Sequence, residues 1–200
     1  MPTLFLVAVF AADLEPGAAW RERETWKSAP AAELRGVDGA PAADASVRAR
    51  WSDGWICFEF ICRDEQIVAP GREDNLDHFK LGDVVEIFIG RRGEPGYLEV
   101  HATPAGLKSV YAFRAYRKPA TAPSGAVVRS GPVEGGWRAV ISIPWSALGG
   151  SDDNDEREFL AGRYDHAESG ERPVLSSFPP QSGRPDFHDR ARYALLRLGK

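Results

Sequence analysis

Glycine and proline interrupt this chain so often that little room is left for long regular elements: 20 Gly and 15 Pro stand among its 200 residues. The segments between them are short and rich in Val, Ile, Phe, Tyr and Trp, as strands joined by turns are. Strands are predicted at Leu4 to Ala11, Val47 to Trp51, Trp55 to Arg63, Val84 to Ile89, Tyr97 to Ala102, Lys108 to Tyr116, Ala126 to Ser130, Trp137 to Ile143, Glu158 to Asp165 and Ala191 to Leu198. The best helical candidate is one turn over Trp145 to Leu148, opened by Pro144 and ended by Gly149 and Gly150. About ten short strands without a helical repeat predict an all-β fold, an antiparallel β-sandwich of two packed sheets. The stretch Lys118 to Gly125 (KPATAPSG) is too short to separate domains and reads as a hairpin loop, so residues 1–200 are expected to form one domain.

The length suffices for a core, since a chain of this size buries roughly 70% of the surface its unfolded form exposes. A net charge of -4, with Lys and Arg scattered among Asp and Glu, argues against nucleic acid, whose phosphates need a gathered basic stripe. Cys57 and Cys62 are five apart in one predicted strand, so they point to opposite faces and read as free core thiols. The run Leu4 to Ala12 (LFLVAVFAA) is apolar enough for the core of a signal peptide, but no positive charge precedes it. It reads instead as a buried first strand, and no segment reaches the roughly 20 apolar residues of a membrane span.

The most informative stretch begins at Gly82. In GDVVEIFIG, the period of two places Val85, Ile87 and Ile89 on one face and Val84, Glu86 and Phe88 on the other. Glu86 is thus a carboxylate in an apolar run, and it must meet solvent, a partner charge or a ligand, because unpaired burial costs several kcal/mol. The following YLEVHA puts Tyr97, Glu99 and His101 opposite Leu98 and Val100. If the two strands form a hairpin, Glu86, Glu99, His101 and Tyr97 form one polar patch, which is either a solvated sheet face or a site.

With these pieces in order, the chain resembles a family 9 carbohydrate-binding module, within the wider group of DOMON-like sandwiches. The matching stretches are VRARWSDGWICFEFICRDEQI, DHFKLGDVVEIFIG, YLEVHATPAG, GGWRAVISIPWSAL, FLAGRYD and PDFHDRARYALLRL, spread from Val47 to Leu198, with Trp26 at a plausible place earlier in the chain. The resemblance implies a non-catalytic module that holds a saccharide, a sugar or glycan end, in a slot on one sheet, often alongside glycan-degrading enzymes outside the cytoplasm. A sugar site needs aromatic faces for the C–H surface and polar groups for the hydroxyls. Carried over by position, the rings fall on Phe79 and Phe187 and the polar wall on Glu86, Glu99 and Arg163, with His101 beside them on the strand of Glu99. The pattern is not met everywhere: both rings are Phe where the family has Trp, Phe79 is one residue out of register, and Glu99 stands where the family has a basic residue. The smaller rings would hold a sugar less firmly by roughly 1 kcal/mol each. Phe79 and Phe187 also fit ordinary core positions, and Arg163 also fits an internal ion pair with Glu86 or Glu99.

Three further readings follow from particular residues. Glu86 and Glu99 on neighbouring strands could sit about 5 Å apart, as in a retaining glycosidase, although paired carboxylates on a sheet are common and no nucleophile-elbow, zinc-protease or phosphate-loop motif occurs. Some DOMON-like sandwiches hold haem, for which His78, His101, His166 and His188 are the candidate ligands. An interaction or assembly domain without a small ligand would show a flat apolar patch instead of a slot. A structural calcium ion is a further expectation to test: Asp152, Asp153, Asn154 and Asp155 offer hard oxygen ligands, but without the EF-hand spacing, and the run reads as a solvated loop.

Overall fold

The computed structural model describes residues 4–40, 42, 44–122, 125–150 and 156–199. Strands run over Phe5–Phe10 (β1), Ala32–Glu33 (β2), Ala45–Trp51 (β3), Trp55–Arg63 (β4), Val84–Arg91 (β5), Tyr97–Ala102 (β6), Lys108–Ala115 (β7), Lys118–Ala120 (β8), Val127–Val133 (β9), Gly136–Pro144 (β10), Arg157–Asp165 (β11), Val174–Phe178 (β12) and Ala194–Gly199 (β13). Each of the ten predicted strands is present, with shifts of a few residues at some ends. The short strands β2, β8 and β12 were not predicted, and β8 occupies the start of the stretch read as a loop. The turn Trp145–Leu148 forms as a 3-10 helix closed by Gly149 in the left-handed conformation. A helix at Pro16–Arg21 (α1) was not anticipated, although its signal was present: Pro16 opens it, and the Glu15 carboxylate accepts a hydrogen bond from Ala18 N.

The strands hydrogen-bond in the order β8-β7-β6-β5-β11-β13-β1-β3-β4-β10-β9, with β12 also on β11 and β2 on β3. The expectation of antiparallel pairing throughout is corrected at β1, which runs parallel to both β13 and β3. Parallel neighbours need a long crossover, and the excursion through α1 and β2 supplies it between β1 and β3. Hydrogen bonding is continuous through the expected boundary between two sheets, because β11 pairs β13 through Arg157–Phe159 and β12 through Ala161–Asp165. The ribbon folds over so that β6 lies against β10 and β9. One core fills the space between the layers, with Val85, Ile87 and Ile89 facing Phe58, Phe60, Trp137, Ala139 and Ile141. An all-β sandwich fits this layering.

The apolar run at the start forms β1 as read, but Leu6 and Ala8 are buried while Phe5 is exposed, so the strand is half-buried. The two cysteines point to opposite faces of β4, buried and unpaired. No helix among the described residues is long and apolar enough to cross a membrane.

The outer faces of the two layers differ, and this difference positions the site. Over β4 and β10 the N-terminal segment forms a lid: Leu14, Ala19 and Trp26 pack on Cys57 and Val140. Beneath it the buried Arg138 bonds Glu59 Oε1 at 2.7 Å and the carbonyls of Ala19 and Trp20. The opposite outer face, over β5, β6 and β11, carries a hydrophobic cluster of Phe88, Tyr97, Leu160 and Phe187, bordered by Phe113, Tyr164 and Tyr193, and opens into a slot.

Candidate functional site

Alternation along β5 turns Glu86 and Phe88 outward, and the antiparallel register sets Glu86 opposite His101 and Phe88 opposite Glu99 on β6. The hairpin therefore gathers the polar patch as its sequence implied. On the other side of β5, Glu86 faces Gly162 of β11. That glycine has a steric role, because a Cβ there would lie 2.8 Å from Phe187 Cε2, so only Gly lets the ring settle over the strand.

The resulting slot has a volume of about 220 Å3. Its floor holds Glu86, Glu99 and Phe88; its walls are Phe79, Tyr164 and Phe187, with Arg117, Asp186 and His188 at the side. Tyr164 joins the two phenylalanines, its ring centroid 5.7 Å from that of Phe79 and 5.8 Å from that of Phe187. Both predicted rings thus reach the slot. Phe187 is also largely buried against Phe88, so it packs as a core residue while lining the slot.

Under the floor His101 is wholly buried, with Nε2 2.5 Å from Glu99 Oε1 and 3.2 Å from Glu86 Oε1. One imidazole thus serves two carboxylates. Burial pushes Glu86 up to about 8, with Glu99 adding to the rise and His101 opposing it. For His101 burial acts downward, but the Glu86 charge and the Glu99 hydrogen bond outweigh it and hold the imidazole above its usual range. Glu99 Oε2 is buried without a hydrogen-bond partner; His188 Nδ1 is 3.8 Å away and already bonds the Tyr97 hydroxyl at 2.9 Å. Tyr97 therefore positions His188 rather than lining the slot, and it stacks on Phe113 at 4.8 Å. Burial lowers His188, which favours its neutral form.

Arg163 is not in the slot. It pairs with Val85, on the core side of β5, whereas its neighbours Gly162 and Tyr164 face outward. Its guanidinium reaches past the core edge to Asp64 at 3.1 Å and Asp165 at 2.7 Å, and bonds the carbonyls of Asp44 and Arg63. The expected pair with Glu86 or Glu99 is corrected to a pair with these aspartates. Asp165 braces Arg163, and His166 Nε2 lies 3.1 Å from the Phe79 carbonyl, tying down the loop that carries that ring. Sequence reasoning missed Gly162, Tyr164, Arg117 and Asp186; the first two are visible in FLAGRYD once the strand's phase is known.

Among the described residues, two groups of side chains have the donor set of a cation site. Glu86, Glu99 and His101 form one, but Nε2 already faces both carboxylates. Asp64, Asp83 and Asp165 form the other, where Arg163 supplies the positive charge and the oxygens of Asp83 accept from the backbone N–H groups of Val68 and His166. The residues proposed for calcium, Asp152 to Asp155, lie outside the described residues; of the acids that follow, Glu156 pairs with Arg92 and Glu158 with Arg190.

No family model matches the chain, and no curated protein matches it. Solved structures do. A Bacteroides uniformis protein provisionally described as carbohydrate-binding superposes with a TM-score of 0.82 at 18% identity, over 98% of this chain and 100% of its own. A family 9 carbohydrate-binding module from Caldicellulosiruptor kristjanssonii, in complex with glucose, gives a TM-score of 0.71 at 11% identity, over 98% of this chain and 95% of that one. The cellotriose complex of a family 9 module from that organism gives 0.68 at 12%, over 97% and 93%. At such identities the likeness establishes the fold.

Proposed function

We propose that this chain is a non-catalytic binding module that holds a saccharide in the slot over β5, β6 and β11. The observation that carries the reading is the meeting of Phe79, Tyr164 and Phe187 with Glu86 and Glu99 in one concavity of about 220 Å3. Aromatic faces suit the C–H surface of a sugar ring, and carboxylates suit its hydroxyls. The volume suits one ring, such as the end of a glycan. Two structural neighbours are complexes with glucose and cellotriose, which supports this ligand class.

The two carboxylates are side by side on adjacent strands and share one imidazole. A glycosidase needs its pair on either side of the scissile bond, so this arrangement supports binding without hydrolysis. The concave, polar character of the face favours a small ligand over the flat patch of an assembly domain. The test is calorimetric titration of wild type and Phe79→Ala with glucose and with gluco-oligosaccharides. Binding by wild type that falls at least tenfold in the variant is expected; equal binding by both removes the slot from the reading.

A further inference from the structure

Glu99 Oε2 deepens the reading of the slot as a saccharide site, on which the following inference rests. It is a buried carboxylate oxygen of a residue on the slot floor, with no hydrogen-bond partner among the described residues. Such an atom lacks the donor that buried acceptors normally have, and the cavity is where a donor could come from. Glu86 stands beside it, a carboxyl group that burial keeps protonated at neutral pH.

The positive groups around the slot are committed elsewhere. Arg117 Nη2 lies 2.9 Å from Asp186 Oδ1 and its Nε bonds the Tyr116 hydroxyl. His101 lies beneath the floor, taken up by both glutamates, and Arg163 is on the other side of the sheet. A ligand carboxylate would therefore meet the Glu99 carboxylate and no uncommitted cation. A ligand ammonium would meet the Glu99 carboxylate and the rings of Tyr164 and Phe187, whose π-faces attract cations as well as C–H surfaces, while Lys80 Nζ already lies over the Phe79 ring at 5.3 Å.

We propose that the slot selects sugars bearing a basic amine, placing the ammonium group on Glu99, and discriminates against uronic acids. The test is titration of the wild-type protein at pH 7 with glucose, glucosamine, N-acetylglucosamine and glucuronate under identical salt. Glucosamine is expected to bind at least tenfold tighter than glucose, which corresponds to about 1.4 kcal/mol, and glucuronate to bind weakest. N-acetylglucosamine, which keeps the nitrogen but not its charge, should lose the advantage. In Glu99→Gln the ratio of glucosamine to glucose affinity should fall toward one; the wild-type panel decides the matter by itself if that variant does not fold. Equal affinity for glucose and glucosamine, or tight binding of glucuronate, overturns the inference and leaves the saccharide reading standing. Failure of all four to bind overturns both.

Discussion

Replacement of Arg163 by methionine separates the two roles this residue has been given. In the wild type its guanidinium is fully buried and neutralises Asp64, which is also buried, and Asp165, which keeps about a quarter of its side chain in solvent. Methionine fills much of the same volume but removes the charge. Removing one partner of a buried pair costs 3–5 kcal/mol, and the partial exposure of Asp165 puts this case near the lower end, at about 3 kcal/mol. In a domain of this size each kcal/mol is worth roughly 2–4 °C, so Arg163→Met should melt about 6–12 °C below wild type. The loss should depend on pH. Burial already raises Asp165, and raises Asp83 to about 6. Without Arg163 these carboxylates become still harder to ionise, so the deficit should be larger at pH 8 than at pH 5, where protonation relieves the repulsion. Thermal unfolding followed by the fluorescence of the six tryptophans measures both effects, and calorimetry with sugar measures the slot. A variant that melts within 2 °C of wild type but has lost its ligand would refute the placement of Arg163 and return it to the binding site.

Three other outcomes follow from the geometry. Glu86 holds its proton in the folded protein up to about 8, well above an unfolded glutamate, so its contribution to stability is complete at low pH and is lost as pH rises toward 8. The raised His101 acts in the same direction; Glu86→Gln should flatten the decline in melting temperature between pH 5 and 8, and an unchanged slope would place the titration elsewhere. Gly162→Ala brings a methyl group against Phe187, which should cost about 1–3 kcal/mol through overpacking and weaken sugar binding at least tenfold by displacing the ring; denaturant unfolding and titration check this. Cys57 and Cys62 are buried, with thiols pushed up to about 12, so neither should react with a thiol reagent until the protein is unfolded, and fast native labelling would contradict their burial.

What could be read from the sequence, and what could not, divides along physical lines. The period of two in GDVVEIFIG and YLEVHA sorts their residues by face, and a hairpin between them fixes the register, so on that condition the residues placed Glu86, Glu99 and His101 together. Strand direction has no local signature, which is why the parallel pairing of β1 was not anticipated; β2 and β12, two and five residues long, are too short to show a period. The walls supplied by Arg117 and by residues 185–188 depend on loops whose course is set by distant contacts, such as the hydrogen bond from Arg117 to Asp186.

The decisive ambiguity was in β11. FLAGRYD carries apolar or small residues on both phases, Phe159 and Ala161 on one and Leu160 and Gly162 on the other, because one side packs on the core and the other on an aromatic cluster. Hydrophobic alternation states which residues share a face; it does not state which face is inward when both are covered. Arg163 drew attention as the polar residue of the strand, yet the slot is made by the glycine before it and the tyrosine after it. This single choice of phase carries through to ligand chemistry. With Arg163 outward the slot would present a guanidinium beside Glu86 and Glu99; with Gly162 and Tyr164 outward it presents the two glutamates and rings, and on the reading proposed above the ligand charge it should favour is reversed.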